Sequence, residues 1–237
     1  MDTLNPPIIL EKVRVKNNIN VMVIRDDYLV GGTKQRALEV FLQENKKEYI
    51  YAGPAQGFAQ IALAYVTKKH GKDATLFLPQ HKHLSQQTKK AIKLGAKIHT
   101  FPTKLSELQK KAQQYAEQDA YRCLLPFGLE SEEFMEELAK KIKVAWGRRK
   151  KPTRMWVPAG SAVLVRSFNK VFPDCFFCIV QVGRTVWPDL VEGIKHKIYV
   201  APEKFNERAK ILPPYASVAN YDAKVWQFVV KFGQDGD

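Results

Sequence analysis

The sequence predicts an α/β fold in which mainly parallel strands are flanked by helices. Short runs of β-branched and aromatic residues alternate along the chain with longer segments of helical periodicity. Several of the short runs are almost continuously apolar, which is typical of strands covered on both faces. Strand–helix alternation of this kind implies parallel strands joined by right-handed crossovers.

The predicted elements lie between residues 21 and 200. The strands are expected at Val21–Arg25, Glu48–Ala52, Ala74–Leu78, Lys97–Phe101, Arg122–Leu125, Met155–Pro158, Phe176–Val182 and Lys197–Val200. The helices are expected at Thr33–Asn45, Phe58–His70, Ser85–Leu94, Leu105–Glu117, Ser131–Trp146 and Ala162–Val171.

Length and composition indicate a globular protein of the cytoplasm, or of the host cytoplasm if the protein is viral. The chain has 237 residues, of which 45% are hydrophobic, and no apolar run reaches the roughly 18–20 residues of a membrane span. Its first residues lack a signal-peptide pattern, and three cysteines do not make a disulfide framework. We expect one unit over residues 1–237, with a small subdomain at about 53–125.

The charge of the chain is strongly positive. Lys and Arg number 38 against 24 Asp and Glu, which gives a formal net charge of +14 and a pI near 9.6. Such a balance favours a polyanionic partner, most often DNA or RNA. A solvated surface rich in lysine explains the same numbers, so both interpretations stay open.

A compact motif lies near the N-terminus, where Val23–Leu38 reads VIRDDYLVGGTKQRAL. It resembles the signature of fold type II, tryptophan synthase β-like, pyridoxal phosphate (PLP) enzymes, especially the aminocyclopropane-carboxylate deaminase and D-cysteine desulfhydrase branch. In that signature two glycines follow a charged run, and then come Asn, the Schiff-base Lys and, two residues later, Arg. Thr33, Lys34 and Arg36 stand at these three positions here. The resemblance implies that Lys34 is the catalytic residue that binds the cofactor PLP.

Other segments follow in the family's order, from about Pro6 to Phe228. VPAGSAVLVRSF stands where the family has its glycine-rich phosphate loop, and ANYDAKVWQF resembles its closing Tyr-x-Gly-Lys motif. The resemblance therefore assigns Tyr221 to catalysis beside the cofactor ring. It also implies that four consecutive residues bind the cofactor phosphate: Ala159, Gly160, Ser161 and Ala162.

Two departures from the family's pattern bear on the substrate. The family's Ser-Gly-Asn-His turn, which contacts the cofactor and the substrate carboxylate, reads Ala55-Gln56-Gly57-Phe58 here. The resemblance still places Gln56 and Gly57 at the cofactor. The phosphate loop has a single glycine, Gly160, where the family often has three or four. The reduced substrate turn, together with the positive charge of the chain, would suit a bulky substrate.

The chemistry of Lys34 is that of an amine. A lysine can form a Schiff base with an aldehyde cofactor when burial or nearby cations lower its pKa, and it can then act as a general base at the α-carbon. A solvated lysine in the first turn of a helix is the alternative. The helix dipole makes lysine an unfavourable choice there.

Two other groups do not form a metal or redox site in the sequence. Cys175 and Cys178 have CxxC spacing, but they lie in an expected strand, where residues three apart face opposite sides. His81 and His83 flank Lys82 without a Cys or carboxylate near enough to complete a metal site. We expect buried cysteines, surface histidines and no metal.

The order of strands and helices sorts the basic residues between the two edges of a parallel sheet. The expected pocket edge is reached by Lys82, Lys104 and Arg184, whereas Arg148, Arg149, Lys150 and Lys151 precede a strand and lie at the opposite edge. Both groups are candidate nucleic-acid contacts. The second group could equally seal a subunit contact in a homodimer or only aid solubility.

These observations predict a PLP-dependent, lyase-like enzyme that acts on an amino-acid group by elimination, deamination, decarboxylation or replacement. The amino acid could be attached to DNA, as in the base hypermodification of some bacteriophages, which would suit the charge and the reduced substrate turn. The alternative is a non-catalytic module that binds nucleic acid or protein on a decayed PLP-enzyme fold.

Overall fold

The computed structural model describes residues 4–16, 19–183 and 185–237. The chain divides into two compact units. Unit 1 comprises Met1–Asn5 and Tyr28–Glu137, and unit 2 comprises Pro6–Asp27 and Leu138–Asp237. The expected subdomain at about 53–125 falls inside unit 1.

Unit 1 is built on a four-stranded parallel sheet in the order β5-β4-β3-β6. The strands are β3 (Glu48–Ala52), β4 (Asp73–Pro79), β5 (Lys97–Phe101) and β6 (Arg122–Leu124). The helices that connect them are α1 (Ala59–Lys69), α2 (Gln86–Lys93) and α3 (Leu105–Glu117). This arrangement confirms the predicted alternation of strands and crossover helices.

The sheet of unit 1 is covered on both faces because neighbouring residues of β3 are buried on opposite sides. Ile50 and Ala52 pack with Phe77, Leu108 and Ala112 in one apolar cluster, which includes the buried stripe of α3. Tyr49 and Tyr51 alternate with them and are also buried. The apolar character of this strand in the sequence follows from this double burial.

Unit 2 contains a three-stranded parallel sheet and a separate hairpin. The parallel strands β7 (Arg154–Ala159), β8 (Phe176–Gln181) and β9 (His196–Val200) are hydrogen-bonded in sequence order. The hairpin pairs β1 (Leu10–Arg14) with β2 (Asn20–Ile24). The helices are α4 (Glu132–Trp146), which begins in unit 1, α5 (Val163–Val171) and α6 (Trp226–Phe232).

The hairpin is held to the rest of unit 2 by an apolar cluster. Val13 and Val21 pack with Trp226 and Val229 of α6. Strand β1 and helix α6 lie outside the set of elements that the sequence predicted. Three of the five residues of β1 are charged and only Val13 is buried, so the strand shows no alternation of apolar and polar residues. Helix α6 has only seven residues, which is too short for a clear helical period.

One predicted helix is wrong. The segment Thr33–Asn45 forms two short 3-10 helices, Gly32–Arg36 and Leu38–Phe41, instead of an α-helix. They meet at Ala37, whose backbone (φ −121°, ψ 0°) interrupts helical geometry. The apolar periodicity is present in the sequence, but the paired glycines at the start leave too little regular chain to propagate an α-helix.

Candidate active-site turns

Lys34 lies in the 3-10 helix Gly32–Arg36, and its ammonium reaches the carboxyl edge of the unit 1 sheet. The Nζ atom donates a hydrogen bond of 2.8 Å to the carbonyl oxygen of Gly128, which follows the end of β6. The Nζ atom also lies 5.9 Å from the centre of the Phe134 ring. Carboxyl ends of parallel strands are where ligands bind in open α/β sheets.

The environment of Lys34 favours the neutral amine. Burial lowers the pKa of Lys34 to about 8, although the nearby Glu130 carboxylate acts in the opposite direction. An ammonium next to an aromatic ring and one carbonyl has lost most of its hydration, and this favours loss of its proton. Lys34 is partly buried and hydrogen-bonded, which distinguishes its surroundings from those of a fully solvated surface lysine.

The two glycines before Lys34 have a structural role. A Cβ atom at Gly31 would stand 2.6 Å from the Cα atom of Ala62 in α1, a distance that no side chain could occupy. Gly32 has φ +63°, and a Cβ there would touch the ring of Phe58. The glycines therefore let the segment before Lys34 pack directly against the start of α1.

Tyr51 and Gly128 belong to this site, although sequence reasoning missed both. The backbone N–H of Gly128 donates to the Tyr51 hydroxyl at 3.3 Å, and burial raises the pKa of Tyr51 to about 12. Gly128 has φ +71°, a conformation that strongly favours glycine. The signal in the sequence was the glycine in PFGLE directly after a predicted strand.

The turn Pro54–Phe58, here called the first turn, follows β3 and leads into α1. Its Ala55 carbonyl accepts hydrogen bonds from Gln60 Nε2 (2.7 Å), Thr88 Oγ1 (3.1 Å) and the Ser85 hydroxyl. Gln60 Nε2 also donates to Gly57 O at 3.0 Å, whereas its buried Oε1 has no hydrogen-bond partner among the described residues. The protein's own side chains thus fix the shape of this turn, which carries Gln56 and Gly57.

The turn Ala159–Ala162, here called the second turn, follows β7 and leads into α5 in unit 2. Ala162 is the N-cap of α5 in a left-handed conformation (φ 57°), and its side chain makes no capping hydrogen bond. A Cβ at Gly160 would make only ordinary contacts, 3.8 Å from Val182 O and 3.9 Å from the Tyr221 hydroxyl. Packing within unit 2 therefore does not require glycine at this position, and a steric turn does not explain it.

Tyr221 lies at the second turn. Its hydroxyl would stand 3.9 Å from a Cβ atom at Gly160 and is the nearest side-chain group to that position. It immediately precedes the 3-10 helix Asp222–Val225 and stacks edge-on against Phe205. The Asp222 carboxylate accepts a 2.8 Å hydrogen bond from the Val218 N–H and so closes the loop that carries Tyr221.

Asp222 is a second residue that sequence reasoning missed. Burial raises the pKa of the Asp222 carboxyl to about 6, and the Asp27 carboxylate acts in the same direction. Asp27 itself pairs with Arg25, whose guanidinium also lies over the ring of Tyr215. A buried carboxyl next to a candidate catalytic tyrosine is a signal that only the structure shows, because its burial depends on contacts with residues far away in the chain.

The predicted nucleic-acid contacts lie on loops. Lys82 is exposed after β4 and Lys104 is exposed at the N-cap of α3, so both are at the carboxyl edge of the unit 1 sheet, as predicted. Arg184 lies outside the described residues. Arg148, Arg149, Lys150 and Lys151 are exposed ahead of β7, and Arg149 donates to the Ala145 and Trp146 carbonyls at the end of α4.

The cysteines and the search for metal ligands add no second centre. Cys175 and Cys178 are free and buried, as predicted, and burial raises the pKa of both thiols. Among the residues that the structure describes, no three His, Cys, Asp or Glu side chains come together as metal ligands. No described helix is both long enough and apolar enough to span a membrane.

Comparison with solved structures identifies the fold. An aminocyclopropane-carboxylate (ACC) deaminase homologue superimposes with a TM-score of 0.78 at 17% identity, over 97% of this chain and 86% of that chain. The Escherichia coli diaminopropionate ammonia lyase superimposes with a TM-score of 0.61 at 12% identity, over 98% of this chain and 80% of that chain. An L-serine ammonia-lyase from Rhizomucor miehei superimposes with a TM-score of 0.62 at 12% identity, over 76% of this chain and 60% of that chain. No family model and no curated protein sequence matches the chain.

The fold is that of the fold type II PLP-dependent enzymes. The predicted fold class is therefore confirmed. The chain spans 60% of the Rhizomucor enzyme, so it is short relative to some proteins that share this fold.

The groups found in each unit fit PLP. In unit 1, the amine of Lys34 has a pKa near 8 and suits an aldehyde. In unit 2, the start of α5, which no side chain caps, suits a phosphate, since helix N-termini present unpaired N–H groups to anions. Both fits rest on the donors present, the Lys34 amine in unit 1 and the N-terminus of α5 in unit 2.

Proposed function

We propose that this chain is a PLP-dependent enzyme that acts on an amino-acid group, with Lys34 as the residue that holds the cofactor. The observation that carries the proposal is the position and pKa of the Lys34 amine at the carboxyl edge of a parallel sheet. Elimination or deamination is the favoured reaction class, because two structures that share the fold are ammonia lyases.

The second turn is proposed to hold the cofactor phosphate through backbone N–H groups of Gly160–Ala162 and the Ser161 hydroxyl. The first turn is proposed to contribute contacts from Gln56 and Gly57. When bound, PLP supplies an electron sink that allows bonds at the α-carbon of an amino acid to break. The residues of this chain supply binding, orientation and proton transfer.

Lys34 is proposed to serve as a base as well as an anchor. A pKa of about 8 leaves roughly a quarter of the Lys34 amines neutral at pH 7.5, against about one in a thousand for an ordinary lysine. The hydrogen bond to Gly128 O orients Nζ, and the Tyr51 hydroxyl holds Gly128 in place from the other side. The amine can therefore take up a proton at Nζ without first being dehydrated.

Tyr221 is proposed to place its hydroxyl beside an anionic group bound at the second turn. The hydroxyl is close to Gly160, and the loop that carries it is closed by the Asp222 carboxylate. A phenol in this position can donate a hydrogen bond to phosphate or return a proton to the substrate. We treat Asp222 as a positioning residue, since its contacts are with the backbone of that loop.

The test of the proposal uses two buried lysines of the same chain. Lys224 is fully buried, and burial also lowers its pKa, but its Nζ donates to the Lys204 carbonyl in unit 2. After addition of PLP and reduction with borohydride, peptide mass mapping should find the phosphopyridoxyl group on Lys34 and not on Lys224.

The matched variants are Lys34→Met and Lys224→Met. We expect Lys34→Met to lose the cofactor's visible absorbance band at ~410–420 nm while it stays folded, and Lys224→Met to keep the band. Modification spread evenly over surface lysines, or an unchanged spectrum in a folded Lys34→Met protein, would show that Lys34 is not the cofactor residue.

A substrate carried on DNA remains part of the proposal. The first turn carries no charged or hydroxyl side chain, and the hydroxyls nearest to it, those of Ser85 and Thr88, are bound to Ala55 O. A free carboxylate would therefore meet there only backbone N–H groups and the neutral side-chain amide of Gln56. Turnover of free serine or a related amino acid, compared with turnover of the same group attached to an oligonucleotide, decides between a free and an attached substrate.

A further inference from the structure

The positive charge of the protein is concentrated in unit 2. Unit 2 contains 22 Lys and Arg against 11 Asp and Glu, whereas unit 1 contains 16 against 13. The formal charges of the two units are thus +11 and +3. An explanation of the charge as a uniformly solvated surface does not account for this difference.

Several carboxylates of unit 2 are engaged in internal contacts, which leaves its surface still more positive. Glu11 and Asp27 pair with Arg25, and Asp237 pairs with Arg154 at 2.7 Å. Glu203 is buried and accepts hydrogen bonds from Gln227 and from the backbone of Lys210. The contacts of these four carboxylates are therefore with two arginines and with neutral donors of unit 2, and not with the side chains of the exposed lysines.

Basic residues collect at the amino edge of the β7-β8-β9 sheet. Each of the three strands is preceded by exposed basic side chains, and parallel strands begin at the same edge of a sheet. Arg148, Lys150 and Lys151 precede β7, Lys170 precedes β8, and Lys195 precedes β9. Lys195 lies 3.5 Å from Asp174, an almost fully exposed carboxylate at the same edge.

An exposed aromatic residue begins the central strand at this edge of the sheet. Phe176 is the first residue of the central strand β8, and its side chain is 39% exposed. Arg154 of β7 is its cross-strand partner, and the next residue, Phe177, donates its N–H to the Lys195 carbonyl. A large apolar ring at the solvent-exposed start of a strand adds little to the core of unit 2.

We propose that this surface, called the basic edge and formed by Arg148, Lys150, Lys151, Lys170, Lys195 and Phe176, binds single-stranded nucleic acid. The basic side chains contact successive phosphates, and the Phe176 ring stacks on an unpaired base. A single strand is favoured over a duplex because a base inside a duplex is already stacked and cannot reach an aromatic ring on a sheet edge.

The basic edge is separate from the second turn within unit 2. Gly160 follows the carboxyl end of β7, whereas Lys151 precedes its amino end, and a six-residue strand is about 20 Å long. The basic edge can therefore hold nucleic acid whether or not the second turn binds a cofactor, so the two proposals can fail independently.

The test measures the affinity of the purified protein for a fluorescent oligothymidine of about 12 nucleotides and for a duplex of equal length. Anisotropy titrations are run at salt concentrations from about 50 to 200 mM. The charge variant is Lys150→Gln with Lys151→Gln, and its control is Lys89→Gln with Lys90→Gln on α2 of unit 1. The stacking variants are Phe176→Ala and Phe176→Tyr.

We expect the charge variant to reduce the slope of log K against log salt for the single strand by about 1.4, and the control to leave that slope unchanged. Phe176→Ala should weaken single-strand binding by about 5- to 100-fold and leave duplex binding unchanged, whereas Phe176→Tyr should bind like the wild type. Equal losses in the charge variant and its control would overturn the proposal. Unchanged single-strand binding by Phe176→Ala would also overturn it. The same holds if heparin displaces the oligonucleotide from the wild type and from every variant at the same concentration.

Discussion

The two glycine-bearing turns of this protein follow a strand and lead into a helix, yet they are built in opposite ways. In the first turn, three side chains donate to a single carbonyl, that of Ala55. In the second turn, the N-cap Ala162 contributes no side-chain hydrogen bond, and a Cβ at Gly160 would contact Val182 O at 3.8 Å and the Tyr221 hydroxyl at 3.9 Å. The protein's own side chains bond the carbonyl of the first turn, whereas no side chain caps the start of α5 at the second turn.

The same contrast applies to titratable groups. The partners of the first turn are neutral amide and hydroxyl groups, Gln60, Ser85 and Thr88, so its geometry should not depend on pH. The second turn lies beside Tyr221, whose loop is closed by Asp222, a carboxyl whose pKa is raised to about 6. We therefore expect changes at the second turn to affect ligand affinity and its pH dependence most strongly, and changes at the first turn to affect folding stability more than ligand affinity.

The largest expected effect is on cofactor affinity in Gly160→Val. A valine side chain would lie between Gly160 and the Tyr221 hydroxyl and block the approach of a phosphate to the backbone, which should weaken PLP binding by about 100- to 1,000-fold. Gly160→Ala is the stability control and should keep the thermal stability of the wild type, because a Cβ at Gly160 would meet only ordinary contacts in the fold. Absorbance titration with PLP and thermal unfolding of the apoprotein measure the two quantities.

The matched change in the first turn is Gly57→Ala, whose Cβ would stand 3.2 Å from Pro54 O. It should lower the melting temperature and change PLP affinity by less than Gly160→Val does. If Gly57→Ala weakens PLP binding as strongly as Gly160→Val, the first turn is the main cofactor contact and the comparison is wrong.

The sequence predicted the second turn better than it predicted the chain around Lys34. Strand β7, the turn and α5 lie within two residues of their expected bounds, because a buried strand, a glycine and an amphipathic helix are all local signals. The 3-10 geometry at Lys34 depends on the close approach of Gly31 to Ala62 across the fold, and no local pattern shows such a contact.

The candidate site shows the same limit. Lys34, Gly160 and Tyr221 were found through a motif, which fixes the identity of a residue but not its surroundings. Tyr51, Gly128 and Asp222 were missed because their importance arises from hydrogen bonds or burial that involve distant residues, such as the pairing of Lys34 with Gly128, 94 positions later. The concentration of charge in unit 2 likewise depends on the fold, because unit 2 combines two segments that are distant in the sequence.

The next effect is a change in the pH dependence of stability in Asp222→Asn. The folded-state pKa of about 6 exceeds the ordinary 3.8, so the folded protein binds a proton more tightly than the unfolded chain does. The stabilisation from this group is therefore present below about pH 4 and is lost as the pH rises through about 6. The difference in pKa corresponds to about 3 kcal/mol.

Urea unfolding between pH 4 and 8 tests this expectation. In the wild type, the Asp222 carboxyl should lower the free energy of unfolding as the pH rises from about 4 to about 6. Asp222→Asn should not show this decrease, since asparagine keeps an oxygen acceptor for the Val218 N–H but does not titrate. Asp174→Asn, at a carboxylate that is almost fully exposed, is the control and should follow the wild type. Parallel curves for wild type and Asp222→Asn would mean that the second turn is no more sensitive to pH than the first.

The smallest expected effect is at the first turn, in Thr88→Val. Valine has nearly the shape of threonine, so the change removes the Thr88 hydroxyl, which lies 3.1 Å from Ala55 O, without leaving a cavity. Because Gln60 and Ser85 still donate to that carbonyl, the expected loss of stability is about 1 kcal/mol. Thr67→Val is a matched control in the same unit, because Thr67 is buried and its hydroxyl donates only to carbonyls within α1. PLP affinity should be unchanged in both variants, and a tenfold loss in Thr88→Val alone would show that the bonded shape of the first turn, and not only the second turn, holds the cofactor.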